Sequence, residues 1–331
     1  MSKTTFLKPS IYFIFLLGLV SNLLVLNSCN KDDETIDVNY SISYLDTNID
    51  LQDVAFFQGS YVLVGGRSWE IGVLIKSKDF VEFTIDSISY NAMLDLFTYG
   101  DDIYCTGVDG RITVVNNGQI RYQNYLGKVE EDWSYTVLRS IYVDDNRIII
   151  TGGKSYNNGQ ITQLNKEYKL IEYDTFVNQL NEIESLGDGR LMAVGYGQVL
   201  SYDEGEYKWK QENVFGDNFI ACSFDYHSSF WVAGADGSII RLNTETQRWE
   251  KLRDESTFFS HSQGLNDILF IDENNGIVVG QEGYVSITTN AGKTWSQANI
   301  KTDNNLNKVI YAENQYLIIG DDGIVIKIDL P

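Results

Sequence analysis

The chain has 331 residues, 43% hydrophobic and 21% charged, with 28 glycines and only 2 prolines, a globular composition that excludes a disordered or collagen-like polymer. Its 25 basic and 46 acidic residues give a net charge of −21, a surface that repels nucleic acid. Two histidines and three cysteines are too few for most metal sites or a disulfide scaffold, so no cofactor or metal is expected.

Residues 1–28 carry Lys3 and Lys8 and no acid, then an apolar run from Ile11 to Leu26 broken only by Gly18, Ser21 and Asn22. This is the layout of a secretory signal, and the run is short for a membrane-spanning helix, which needs roughly 20 residues. Leu26-Asn27-Ser28-Cys29 resembles the lipobox of bacterial lipoproteins, which implies a diacylated Cys29 at the start of a mature chain of charge −23. The following Asn30-Lys31-Asp32-Asp33-Glu34 is similar to the export tag of Bacteroidetes surface lipoproteins. Residues 29–39 are therefore expected to be an acidic linker, and the protein to be an outer-membrane lipoprotein displayed at the cell surface, with a periplasm-facing position as the alternative. Cys105 and Cys222 lie in separate apolar runs and read as reduced core residues.

From residue 40 one unit recurs seven times. Each copy opens on an apolar residue (Leu51, Met93, Leu138, Leu180, Phe219, Leu265, Leu306), and 14 or 15 residues later a glycine (Gly65, Gly107, Gly152, Gly195, Gly234, Gly280, Gly320) closes a second apolar run. The glycine spacings of 42, 45, 43, 39, 46 and 40 are those of four-stranded propeller blades. Second runs such as Tyr61-Val62-Leu63-Val64 are apolar throughout, which suits strands covered on both faces. A third strand follows a turn ending in Gly110, Gly197, Gly237, Gly283 or Gly323, and a fourth carries an aromatic residue such as Trp209, Trp249 or Trp295. The last copy ends one strand short, while Tyr40-Ser41-Ile42-Ser43-Tyr44-Leu45 stands unassigned before the first. The expected fold is an all-β, seven-bladed propeller over residues 40–331, its ring closed by that N-terminal strand.

Thr288-Thr289-Asn290-Ala291-Gly292-Lys293-Thr294-Trp295 resembles the Asp-box (BNR repeat), with Asn for Asp; weaker echoes stand at Ser201-Tyr202-Asp203-Glu204-Gly205 and at Ser77-Lys78-Asp79 ahead of Phe83. With the seven glycine-closed repeats, residues 50–331 resemble the propellers typified by the photosystem II assembly and stability factor. The resemblance implies a structural role for Thr288, Asn290, Gly292, Thr294 and Trp295, and a docking platform without chemistry of its own.

Enzymatic readings find little support. Sialidases share the Asp-box, but their Arg-Ile-Pro segment is impossible where Pro331 is the only proline after Pro9. Gly153-Lys154-Ser155 lacks the earlier glycine of a phosphate loop, since position 148 is Ile148. His227 and His261 fall in a turn and a linker, without the context of a triad. Asp101-Asp102, Asp144-Asp145 and Asp321-Asp322 stand where hairpins need Asp, although calcium binding would use the same residues. A glycoside hydrolase would need two carboxylates across a cleft, drawn from Asp109, Asp236, Glu282 or Asp321. Four-stranded blades place the second-to-third-strand loops and the blade linkers on one face and the Asp-box turns on the other. Arg67, Trp69, Trp133, Lys154 and Tyr156 fall on the loop-bearing face and are the candidate contact residues. The expected function is protein binding or assembly; the alternative is a glycan-binding or glycoside-hydrolysing lipoprotein of a polysaccharide-use system.

Overall fold

The computed structural model describes residues 35–331 except 46, 127–135, 188, 204–207, 215, 226, 228, 254–263 and 330–331. Seven separate four-stranded antiparallel sheets follow one another along the chain, the blades of the expected propeller. In blade 1 the strands are Asp50–Phe57, Ser60–Arg67, Ile71–Ser77 and Phe83–Ser89, from the innermost outward. Blades 2 to 6 occupy residues 93–125, 137–178, 180–211, 219–253 and 265–297, and blade 7 residues 306–329. Tyr40–Tyr44 pairs antiparallel with Ile324–Asp329 and supplies the fourth strand of blade 7, so first and last strands share one sheet. Ahead of it, Thr35–Asn39, which the sequence placed in the linker, is held against blades 6 and 7. The Ile36 amide donates to the Gln297 carbonyl at 2.8 Å, the Asn299 amide to the Ile36 carbonyl at 3.1 Å, and Asn39 Nδ2 to Asp329 Oδ2 at 2.6 Å. Cys29 and the expected signal lie outside the described residues.

Seven hydrophobic clusters hold the ring together, most of them drawn from neighbouring blades. In one, Trp231 of blade 5 stacks on Phe270 of blade 6 at 3.6 Å between centroids, and Trp295 meets the same ring edge-on. Cys105 and Cys222 are free and buried in blades 2 and 5, and burial pushes both thiols up, away from thiolate chemistry.

The repeating glycine has a steric cause. In every blade the opening residue pairs across the ladder with the closing glycine, from Leu51 with Gly65 to Leu306 with Gly320. The chain entering the inner strand passes so close that a Cβ on Gly65, Gly107, Gly152, Gly195, Gly280 or Gly320 would stand 2.0 to 2.7 Å from a backbone carbonyl oxygen; on Gly234 it would meet the Asp217 carboxylate at 2.0 Å. Gly280→Ala is therefore expected to cost about 3 kcal/mol by forcing these chains apart, and a chemical melt matching wild type would disprove the steric account. The turn glycines Gly110, Gly197, Gly237, Gly283 and Gly323 act differently, all standing at positive φ.

The Asp-box is a capped turn. Asn290 Oδ1 accepts the Thr294 amide at 3.0 Å, Thr288 Oγ1 accepts the Gly292 amide at 3.1 Å, and Trp295 is buried between blades 5 and 6. At the echo in blade 1, Asp79 and Ser77 cap in the same manner, but the buried aromatic is Phe80, at positive φ, rather than Phe83. Lys154 ends one strand and Asn157 begins the next, so Gly153-Lys154-Ser155 belongs to a hairpin. His227 is an exposed turn residue, and His261 lies outside the described residues.

Candidate binding face and central channel

Just after its opener, each inner strand shifts register by one residue in all seven blades. A bulge interrupts the alternation of side chains, and here it brings two consecutive residues per blade to the axis. They line a central cavity of about 220 Å³, from Gln52-Asp53 in blade 1 to Asn307-Lys308 in blade 7. Because the bulges lie where the inner strands begin, the cavity sits beside the loop-bearing face.

These residues also join the blades. In the first tier, Asn181 Nδ2 donates to the Phe219 carbonyl at 2.6 Å, Asn266 Nδ2 to Leu306 at 2.9 Å and Asn307 Nδ2 to Leu51 at 2.9 Å, each time the opener of the following blade. In the second tier, Asp53 accepts the Leu96 amide at 2.8 Å, Asp95 accepts Ile141 at 2.6 Å, Ser140 accepts Ile183 at 3.4 Å, Glu182 accepts Cys222, and Asp267 accepts Val309 at 2.8 Å. Every one of these amides stands three residues after an opener. Ala221 of blade 5 and Lys308 of blade 7 have no acceptor to offer.

Lys308 instead reaches from blade 7 to Glu182 Oε1 at 2.7 Å and Asp267 Oδ1 at 3.3 Å. Burial opposes its charge, but Asp267, Glu182, Asp53 and Asp95 together hold the ammonium well above its ordinary range. Burial pushes the carboxyls the other way. Asp267 is raised to about 7, and Glu184 to about 7 with help from the charge of Glu182. Asp53 and Asp95 rise as well, Asp95 further because Asp53 repels its charge. The channel is thus an acidic ring around Lys308, with Arg139 of blade 3 also on its lining. Nothing in the repeat reading anticipated it, although polar pairs such as Asn266-Asp267 inside otherwise apolar strands were its trace.

The loop-bearing face carries the exposed aromatics. Eight described tyrosines and tryptophans are at least 40% exposed, and six of them, Tyr44, Trp69, Tyr90, Tyr125, Tyr156 and Tyr196, stand on this face; Tyr173 and Tyr311 do not. Trp69 is 74% exposed and Tyr156 60% exposed, so neither covers a blade end. Both stand at positive φ, 63° and 69°, which is unfavourable for bulky residues and is held by surrounding structure. Asn91 Oδ1 accepts the Trp69 amide at 2.7 Å, and Gln179 Oε1 accepts that of Tyr156 at 3.1 Å.

The candidate residues do not form one cluster. Arg67, paired with Glu70 at 2.8 Å, and Trp69 belong to blade 1; Lys154 and Tyr156 belong to blade 3, where Tyr156 packs on Tyr196 of blade 4 at 5.3 Å. Trp133 lies outside the described residues. Between the two groups Arg111, buried beside Asp109 at 3.1 Å, lies over the Tyr125 ring at 4.5 Å, a contact the sequence did not suggest. The four carboxylates considered for hydrolysis stand in separate turns of blades 2, 5, 6 and 7. Asp109 is taken by Arg111, and Asp321 by Asn305 and Asn307, each at 2.9 Å. No group of three or more metal-ligating side chains occurs among the described residues.

The resemblance read from the repeats is present: residues 179–329 match the family model of photosynthesis system II assembly factor YCF48. Among solved structures the fold is similar to YCF48 from Cyanidioschyzon merolae, with TM-score 0.64, 16% identity and coverage of 88% of this chain and 98% of that one. A structure of YCF48 bound to D1 peptide matches with TM-score 0.66 and 14% identity over 91% of this chain and 100% of that one. The propeller of virginiamycin B lyase from Staphylococcus aureus matches with TM-score 0.70 but 9% identity, over 89% and 100% of the two chains. A comparison with curated proteins returned no match.

Proposed function

We propose that this chain is a non-catalytic, lipid-anchored propeller that docks a protein partner on its loop-bearing face. The observation that carries the reading is the gathering of six of the eight exposed tyrosines and tryptophans on that face, two of them on left-handed backbone. Rigidly held aromatics are the usual anchors of an interface, and backbone strain collects where function needs a side chain presented. A propeller of the matched family has been solved with a peptide bound, which supports a docking role for this shape. Acylation of Cys29 would tether the platform to the outer membrane, with several acyl chains giving lasting attachment.

The reading is tested by capturing partners from the native membrane with the wild-type chain and with a Trp69→Ala, Tyr156→Ala double variant, both side chains being too exposed to carry the fold. A stoichiometric protein should be retained by the wild type and weakened about tenfold or more by the variant. Retention of a polysaccharide in place of a protein would favour the glycan reading, since an aromatic plane suits a sugar ring as well.

A further inference from the structure

The loop-bearing face divides by charge. Blades 1 to 4 supply the aromatic arc of Trp69, Tyr90, Tyr125, Tyr156 and Tyr196. Across the channel, blades 5 to 7 present Asp236, Glu282, Asp303 and Asp322 exposed and Asp321 half-buried. Among the described residues only Lys301 and Arg253 oppose them there, and Arg253 is turned onto Tyr284, its guanidinium donating to the hydroxyl at 3.0 Å. The channel between the arcs sets Asp53, Asp95, Glu182 and Asp267 against Arg139 and Lys308, and Lys308 is already engaged by Glu182 and Asp267. On the opposite face exposed acids are also frequent, Asp79, Glu82, Asp101, Asp145, Glu167, Glu245, Glu273 and Glu313, but they stand among Lys78, Lys166, Lys169, Arg248 and Lys293, so what sets blades 5 to 7 apart on the loop-bearing face is the scarcity of cations rather than the number of acids.

Resting on the docking reading above, we propose that the occupant is an extended basic segment of a partner polypeptide, crossing the channel mouth with its lysine and arginine side chains on blades 5 to 7 and its aromatic or apolar side chains on blades 1 to 4. Charge complementarity argues for this occupant: an acidic segment would meet like charge over nearly half the ring. The aromatic arc suits the same segment, because tyrosine and tryptophan faces attract guanidinium and ammonium groups as well as other rings.

The test uses a short synthetic fluorescent peptide alternating arginine and tyrosine, its counterpart with glutamate for arginine, and a neutral oligosaccharide, each titrated into the protein at physiological salt. The basic peptide should bind and lose about tenfold in affinity both in the Asp236→Asn, Glu282→Gln, Asp322→Asn variant and in the Trp69→Ala, Tyr156→Ala variant. Glu82→Gln, Glu167→Gln, Glu273→Gln, the same change of charge on the opposite face, should leave binding unchanged; an equal loss there would reduce the effect to net charge and overturn the proposal. Preferential binding of the acidic peptide, dependent on Trp69 and Tyr156, would overturn the basic partner while leaving the docking reading in place. Retention of the oligosaccharide alone would overturn both. Melting curves of all three variants confirm that they fold.

Discussion

Replacing Lys308 by Met is expected to destabilise the propeller by about 3 kcal/mol at pH 8 and by clearly less at pH 5.5, because it leaves Glu182 and Asp267 beside the channel without their cation. The pH dependence follows from the direction of the shifts. Asp267 and Glu184 titrate near 7 in the folded chain against about 4 when unfolded. Their contribution is therefore fully present below about pH 4 and is lost as pH rises through 7, each group costing up to about 1.4 kcal/mol per pH unit across that window. The wild type should already be more stable at pH 5.5 than at pH 8. At pH 5.5 Asp267 and Glu184 are already largely protonated, so removing Lys308 there leaves less unpaired charge, whereas at pH 8 both must ionise with no cation beside them. Urea melts of both proteins at the two pH values measure this, and an equal loss at each would sink the account. Lys308 itself stays charged throughout the window, since its raised value lies above the ordinary ammonium range.

A chain beginning at Leu45 should lose on the order of 5 kcal/mol relative to one beginning at Thr35, from the burial of Val38, Tyr40 and Ile42 against blade 7. Beyond that loss, Ile324–Asp329 would become an open edge carrying Ile324, Ile326 and Ile328, all at most 1% exposed in the closed ring. An apolar edge strand of this kind recruits other chains, so the shortened protein is expected to associate on heating and to regain its melting temperature when a peptide of residues 35–45 is added. A shortened chain that melts like the longer one and stays monomeric would show that the seam contributes little.

These two features differ in how far they could be read before the structure. The seam was legible because a missing strand and an unassigned strand stood at opposite ends of a regular repeat. The glycines were legible because crowding at Gly65 and its equivalents, by crossing backbone at six of them and by the Asp217 carboxylate at Gly234, tolerates no other residue, so sterics wrote the same letter seven times. The channel was written unevenly. Its first position holds Gln52, Leu94, Arg139, Asn181, Ile220, Asn266 and Asn307, and its second mixes acids with Ser140, Ala221 and Lys308, so no single residue type marks it. A period-of-two reading also cannot anticipate a bulge that sends adjacent residues the same way. Trp69 was found for a third reason, that the repeat had no use for it, and Tyr156 because it lies on the long hairpin of the third copy. Their separation onto blades 1 and 3, and the tyrosines at 90, 125 and 196 that extend them into an arc, depend on the closure of the ring.

Most of the joints between inner strands run in one sense. In each of the eight contacts described, an Asn, Ser or acid on an inner strand grips the backbone of the next blade round the ring, whereas Lys308 reaches back to Asp267 and Asp50 of blade 1 accepts the Asp322 amide of blade 7. The ring is therefore polar around its circumference, like a circle of people each holding the shoulder of the next. A lesion at Asp95 frees the Ile141 amide of blade 3 directly, and it reaches Asp53 of blade 1 only through the side-chain contact that the two acids share. At the step from blade 5, where Ala221 holds nothing, the clasp moves two residues along the strand: Ser223 Oγ accepts the Phe270 amide of blade 6 at 3.2 Å, beside the stacked rings of Trp231 and Phe270.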